Sequence, residues 1–319
     1  MNMDWDCIVV GGGAAGLSAA LVLGRARRRT LLIDAGEPSN LPAEGIGGLL
    51  GHDGRPPAEL YALGRAELAA YPTVELRHGT VERGERVDGG IALELASGGG
   101  RELTRRVILA TGMEYRLPEL PGLAPLWGRS VFHCPFCHGW EMRDAALGVL
   151  GGGPAGLHRA LLLRGWSDDL VLFTDGPAEL PEDDLERLSA AGVEVDERPV
   201  ARLVELNGAL AALEFADGST RAREGLLVPV TVAQRSSLAA QLGAEPAEPG
   251  PVALDALVVD TMFRTTAEGV SAAGDVSAQM QQVAAAISAG SLAAAGVVQS
   301  LMAEEHGLEA PPVPAGRAA

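Results

Sequence analysis

Two of the chain's three cysteines stand in the stretch Cys134-Pro135-Phe136-Cys137-His138-Gly139-Trp140. At this spacing two thiols can share one disulfide and exchange electrons with a further redox centre. A free thiol with a pKa of about 8.5 is only a few per cent thiolate at pH 7, so thiol chemistry at neutral pH calls for a base. His138 follows the second cysteine directly, and an imidazole titrating near ~6.5 can take a thiol proton there. The same letters also spell the attachment motif of c-type haem. Zinc would want a second Cys/His pair, and the sequence has none. Cys7 lies in an apolar run and reads as an inert core thiol. His133 flanks the motif, and Trp140 reads as a packing residue or pocket wall. A CxxC alone decides little; its position between two glycine-rich turns decides more.

The first turn follows the apolar run Asp6-Cys7-Ile8-Val9-Val10 and reads Gly11-Gly12-Gly13-Ala14-Ala15-Gly16. A helical period over 17–23 comes next, then a strand over 30–34 closing on Asp34. Strand, G-x-G-x-x-G, helix, strand and acid in this order form the dinucleotide fingerprint in its required context. The glycines let the backbone approach a pyrophosphate, the helix N-terminus offers N–H donors, and Asp34 can take a ribose hydroxyl pair. After a Gly- and Pro-rich loop, a helix is predicted over 58–70 and meander strands over 74–81, 91–95 and 102–109, leading into Ala110-Thr111-Gly112.

The pattern then recurs. A strand over 146–150 leads into Gly151-Gly152-Gly153-Pro154-Ala155-Gly156, a helix over 157–163 and a strand over 170–173 ending at Thr174-Asp175. Pro154 is tolerated in a first helical turn. A helix over 182–191, a strand over 193–196 and a second meander over 202–206, 211–215 and 225–229 complete the unit. The acids Glu182-Asp183-Asp184 suit the positive end of that helix. Proline-marked segments over 114–122 and 244–252 read as the two strands of a hinge. Beyond them, 257–259 and 270–275 return to the first fold, a long helix spans 282–304, and 310–319 reads as a frayed tail.

Composition bounds the partners. With 319 residues and 47% hydrophobic content the chain suits about two domains with a sizeable core. A formal charge of −17 disfavours nucleic acid and anionic membrane, because both repel a polyanion. The acidic N-terminus runs straight into a strand without the basic and apolar regions of a signal peptide, which points to the cytoplasm. Three cysteines, two of them in CxxC, suit a reducing compartment, and that address argues against haem attachment. The apolar run 283–302 approaches membrane-spanning length but is diluted by Ser, Gln and Gly, so it reads as a buried helix and no membrane span is expected.

Both fingerprints, Ala110-Thr111-Gly112, the CxxC and Ala273-Gly274-Asp275, taken in order, resemble the low-molecular-weight thioredoxin reductase family over nearly the whole chain. The resemblance implies an α/β fold of two Rossmann-like three-layer nucleotide-binding domains, the second inserted into the first and each carrying a β-meander. It places an FAD-binding domain at 1–117 and 248–319, a pyridine-nucleotide-type domain with the CxxC at 118–247, and a homodimer. The flavin contacts it implies are Gly11, Gly13, Ala14, Ala15, Gly16, Asp34, Val81, Thr111, Gly112, Gly274, Asp275, Gln282 and Val283, with Asn40 and His52 in a loop that could reach the flavin. No metal is implied.

Departures from the family pattern indicate the kind of member. Where the family's reductases carry a His-Arg-Arg segment gripping the NADPH 2′-phosphate, this chain reads Thr174-Asp175-Gly176. Losing two charge-assisted contacts at roughly 1.5–3 kcal/mol each weakens NADPH by on the order of 10²–10⁴-fold. Asp175 adds repulsion but could suit NADH, so NAD(P)H binding is expected to be weak. His138 replaces an acid usual in those reductases. The stretch Cys134 to Glu141 is similar to the Cys-x-x-Cys-His-Gly-aromatic-Glu of the FAD-dependent dithiol oxidases that close disulfides in gliotoxin and holomycin, with O2 as acceptor. The resemblance therefore implies oxidation of a small-molecule dithiol through Cys134, Cys137 and His138, with Cys134 facing substrate and Cys137 nearer the flavin. An NAD(P)H-dependent reductase acting on thioredoxin or another disulfide is the first alternative, and a flavin redox sensor without turnover the second.

Overall fold

The computed structural model describes residues 3–278 and 280–309, so the tail read over 310–319 lies outside the described residues. In chain order the elements are β1 (Trp5–Val10), α1 (Ala14–Arg25), β2 (Thr30–Asp34), α2 (Pro57–Leu68), β3 (Val74–His78), β4 (Val81–Val87), β5 (Gly90–Leu95), β6 (Arg101–Leu109) and β7 (Met113–Arg116). There follow β8 (Val131–Phe132), α3 (Pro135–His138), β9 (Leu147–Leu150), α4 (Gly153–Leu163), β10 (Leu170–Phe173), α5 (Glu182–Ala190) and β11 (Val193–Asp196). The remainder is β12 (Val200–Leu206), β13 (Ala209–Phe215), β14 (Thr220–Ala222), β15 (Gly225–Leu227), β16 (Thr231–Gln234), α6 (Leu238–Leu242), β17 (Val270–Ala272) and α7 (Val283–His306).

The chain forms two compact units. The first takes the residues up to Leu41, Pro57–Tyr115 and the chain from Thr231 on; the second takes Pro42–Pro56 and Arg116–Val230. The sequence-based boundaries, 118–247 for the inserted domain, differ from this at two places. Residues 231–247 belong with the first unit, because Val232, Leu238, Ala239, Leu242 and Ala244 enter its core beside Ile8 and Leu31. Residues 42–56 belong with the second, where a Cβ on Gly47 would press the Cys137 carbonyl.

In the first unit β1 lies parallel between β2 and β6, and β6 also pairs with β17. Successive residues of a strand face opposite sides, and β1 uses both: Cys7 and Val9 meet α1 and α7, while Ile8 and Val10 meet the opposite cluster with Leu93 and Leu238. Burial on both faces explains why β1 and β2 read as continuous apolar runs. The strand predicted over 74–81 is two strands, since β3 runs parallel to β2 whereas β4 runs antiparallel to β5. The break falls at Gly79, whose N–H donates to the Asp34 carbonyl at 3.0 Å, and from there the chain passes from one edge of the sheet to the other. Although α7 is long and apolar enough to cross a membrane by length and composition alone, it lies along α1. A Cβ on Gly290 would overlap the Ala15 carbonyl, so these helices approach as closely as backbone allows.

The second unit has a parallel sheet in the order β11-β10-β9-β15-β8 and a separate meander, β12-β13-β14. The segment predicted over 225–229 as the last meander strand is β15 of the parallel sheet, and β14 fills the meander instead. Gly225 lets β15 into that position, where a Cβ would sit 2.7 Å from Leu147. Of the two segments read as hinge strands, 114–122 contributes to β7, which pairs with β16, whereas 244–252 contains no strand. Pro246 and Pro251 carry no N–H for a ladder, and the 244–252 stretch makes only isolated bridges, such as Pro246 with Leu257. Residues 257–259 likewise form bridges and no strand.

Candidate functional site

In the first unit the Gly11–Gly16 turn joins β1 to α1. Gly11 has φ +106°, and a Cβ on Gly16 would overlap the Gly11 carbonyl oxygen. Gly13 caps α1, Ala14 and Ala15 form its first turn, and the first-turn amides point out of the helix. Asp34 ends β2 with its Oδ1 accepting from the Gly12 N–H at 3.1 Å and the Gly36 N–H at 3.0 Å, which fixes the carboxylate beside the turn. Gly274, at φ +84°, packs against α1 so closely that a Cβ added there would lie 2.9 Å from Ala15 Cβ, and Asp275 follows. Thr111 and Gly112 leave β6 with Gly112 at φ +68°, and Gln282 caps α7 ahead of Val283. Val81 opens β4 just past Gly79, but its side chain is spent in the core. These residues fit a dinucleotide: the tight glycines leave room for a pyrophosphate and the fixed acid suits ribose hydroxyls.

Around Asp275 the structure places groups that the sequence reading did not single out. Tyr115 hydrogen-bonds Asp275 and Ser39, and the Tyr61 hydroxyl donates to Asn40 Oδ1 at 2.8 Å. Burial pushes the Asp275 carboxyl up to about 6, against the Tyr115 hydrogen bond and the Arg235 charge. Burial likewise raises Tyr61 to about 12 and Tyr115 further still. The chain has three tyrosines, and two of them meet here; that scarcity was the available signal. Asn40 thus joins the first unit's site, whereas His52 falls in the second unit.

In the second unit Cys134 and Cys137 form a disulfide with Cα atoms 5.3 Å apart. Cys134 caps the single turn α3, and the N–H groups of Cys137 and His138 both donate to its carbonyl at 3.2 Å. Pro135 suits the first helical position. Gly139 lets the turn close, since a Cβ there would sit 2.9 Å from the Trp166 ring. Phe136 meets Trp166 edge-on at 5.7 Å and remains 57% exposed, and Trp140, 67% exposed, lies under the Arg143 guanidinium. His138 Nε2 is 3.2 Å from the Gly128 carbonyl, its ring stacks on Phe132, and its Nδ1 is buried without a hydrogen bond. Burial holds this imidazole below its ordinary value, over smaller opposing pulls from Gly128 and Glu141. Burial and His138 together push His133 down to about 4. Both rings are therefore neutral at pH 7, and His138 can act as a proton acceptor.

The second glycine turn has the tight Gly151–Gly156 approach of the first, but its surroundings are different. The Gly153 N–H donates to the Ala178 carbonyl at 2.9 Å. Asp175 adopts φ +55° and its Oδ1 accepts from the Val200 N–H at 2.7 Å, so one oxygen of the carboxylate expected to suit an NADH ribose is tied to the start of β12. Arg159 on α4 brings its guanidinium within 3.7 Å of a Cβ built on Gly151.

Residues 5–290 match the family model described as pyridine nucleotide-disulphide oxidoreductase. Thioredoxin reductase tcpT of Claviceps purpurea is 31% identical over 95% of this chain and 96% of its own length. The crystal structure of HlmI superposes with a TM-score of 0.88 at 40% identity, covering 95% of this chain and 94% of that one. That of an oxidoreductase from Agrobacterium tumefaciens gives 0.88 at 38% identity, covering 94% and 99%.

Proposed function

Because the chain belongs to the pyridine nucleotide-disulphide oxidoreductase family and is a thioredoxin reductase-like disulfide oxidoreductase, we propose that it oxidises a small-molecule dithiol to a disulfide with O2 as final acceptor. The observation that carries this reading is the second glycine turn. A nicotinamide dinucleotide bound there would need the Gly153 amide, now held by Ala178, and NADPH would also need a cationic grip where Thr174-Asp175-Gly176 stands. The family implies flavin, and Gly11, Gly13, Ala14, Ala15, Gly16, Asp34, Asn40, Thr111, Gly112, Gly274, Asp275, Gln282 and Val283 would hold FAD, with Val81 offering only its backbone. Bound FAD supplies a two-electron acceptor that oxygen can reoxidise.

The remaining steps belong to the chain's own residues. His138 takes a proton from one substrate thiol, and the thiolate attacks Cys134 Sγ, breaking the Cys134–Cys137 bond. The second substrate thiol then displaces Cys134 and leaves with the first as a disulfide. Cys134 and Cys137 end as a dithiol holding the electron pair, with Cys137 the one that passes it on. The enzyme works in the cytoplasm as a homodimer.

A second reading, an NAD(P)H-dependent reductase of a thioredoxin-like protein, draws support from Arg159. This half-buried guanidinium makes no ion pair among the described residues, and burial lowers its pKa. Peroxide production from dithiothreitol in air, without pyridine nucleotide, separates the two. No oxygen uptake together with fast flavin bleaching by NADPH would sink the oxidase. Cys134→Ser and Cys137→Ser should each lower turnover by more than about 10³-fold while flavin stays bound.

A further inference from the structure

We infer that the Gly128 carbonyl is a positioning group for His138: it fixes the imidazole tautomer so that Nδ1, not Nε2, takes the substrate proton. The inference rests on His138 serving as the proton acceptor and specifies the atom. A carbonyl can only accept, so at 3.2 Å from Gly128 the Nε2 must carry the ring proton. A neutral imidazole has one N–H, and its lone pair is then on Nδ1. Nδ1 is buried and makes no hydrogen bond, so no protein donor occupies its lone pair, and a thiol reaches it only by displacing the packing that covers it. The ring cannot turn freely, because it stacks on Phe132 at 5.7 Å with 19° between the planes. Cys134 and His138 bracket α3, and the His138 N–H donates to the Cys134 carbonyl at 3.2 Å, which keeps the two residues together at the turn.

The carbonyl is itself held in place. Gly128 has φ +79°, donates its N–H to the Val131 carbonyl at 2.9 Å, and presents its α-carbon to the segment 42–43. An added Cβ would lie 2.9 Å from Pro42 Cβ and 3.1 Å from the Ala43 nitrogen. A side chain at residue 128 must therefore displace either that segment or the carbonyl. Once Nδ1 is protonated, the Nε2–H bond to Gly128 becomes charge-assisted, so the same contact stabilises the imidazolium formed in the reaction. The charged or titratable groups acting on the ring are His133, whose protonation would oppose a second cation, and Glu141, which favours one.

Ring-15N histidine NMR of the FAD-loaded protein at pH 8, with His138→Gln to assign the signal, reads the tautomer directly. The expected result is a single neutral form protonated at Nε2. A proton on Nδ1, or a mixture of both forms, would overturn the inference. Gly128→Ala should mix the tautomers, slow anaerobic flavin reduction by dithiothreitol about tenfold, and move the acid limb of the pH profile to lower pH, because the imidazolium loses its acceptor. An unchanged tautomer and profile in that variant would also overturn it. The wild-type reading needs no substitution at residue 128, so a variant that fails to fold leaves the test standing. If NADPH proves to be the electron source while the Nε2–H form is found, the oxidase reading fails and with it the substrate proton, while the Gly128-fixed tautomer stands.

Discussion

The two glycine turns share the feature that makes them recognisable, a third glycine pressed on the carbonyl of the first, yet they do different things with the acid that follows. At the first, Asp34 turns back and accepts from Gly12, so its carboxylate faces whatever lies on the turn. At the second, Asp175 turns away to Val200 and the Ala178 carbonyl takes an amide of the turn. A fingerprint therefore specifies a backbone shape, and the neighbours of that backbone decide whether a nucleotide can use it.

Several substitutions would break or sharpen this contrast. The largest effect belongs to Gly16→Val, which should leave no flavin on the protein after gel filtration. Gly156→Val should keep flavin while loosening the second unit, and loss of flavin there would mean that the two turns are not independent. Next is Asp275, an acid with no counterpart at the second turn. Its raised pKa means that the folded protein holds the proton more tightly than the unfolded chain. Stability is then fully present below the unfolded value near ~4, is lost as pH rises through about 6, and the cost levels off above that. In flavin-free protein Asp275→Asn should gain about 3 kcal/mol over wild type in urea titrations at pH 8, and much less at pH 4.5. Asp34→Ala should weaken FAD by roughly 1.5–3 kcal/mol, read by flavin fluorescence on dilution. Asp175→Arg should speed NADPH bleaching by no more than about tenfold, because the Gly153 amide stays engaged; a gain of several hundredfold would show that charge alone closes that site.

What the sequence disclosed followed the range of the interactions involved. Both turns, the apolar runs of β1, β2, β9 and β10, and the cysteine pair are local patterns, and the structure places them as read. The pairing of β7 with β16 was hidden because the proline-marked 244–252 stretch looked equally extended. The attachment of 42–56 to the cysteine-bearing unit had no periodicity to announce it, since a Gly- and Pro-rich loop carries none. Tyr115 is brought to Asp275 by tertiary folding, which no motif encodes. Gly128 was invisible for a simpler reason: its contribution is a main-chain oxygen, and every residue has one.

The close seat of α7 on α1 at Gly290 and Ala15 also governs the order in which the molecule can be made. A nascent chain emerging N-terminus first holds α1 and its sheet open until residues near 300 leave the ribosome, whereas all strands of the second unit are already present by Val230. The cysteine-bearing unit can therefore condense during synthesis, and the first unit only after it. On the contact-order correlation, that long-range closure is expected to be slower than the closing of the second unit, and the apolar faces it leaves open are the ones exposed to other chains in the meantime.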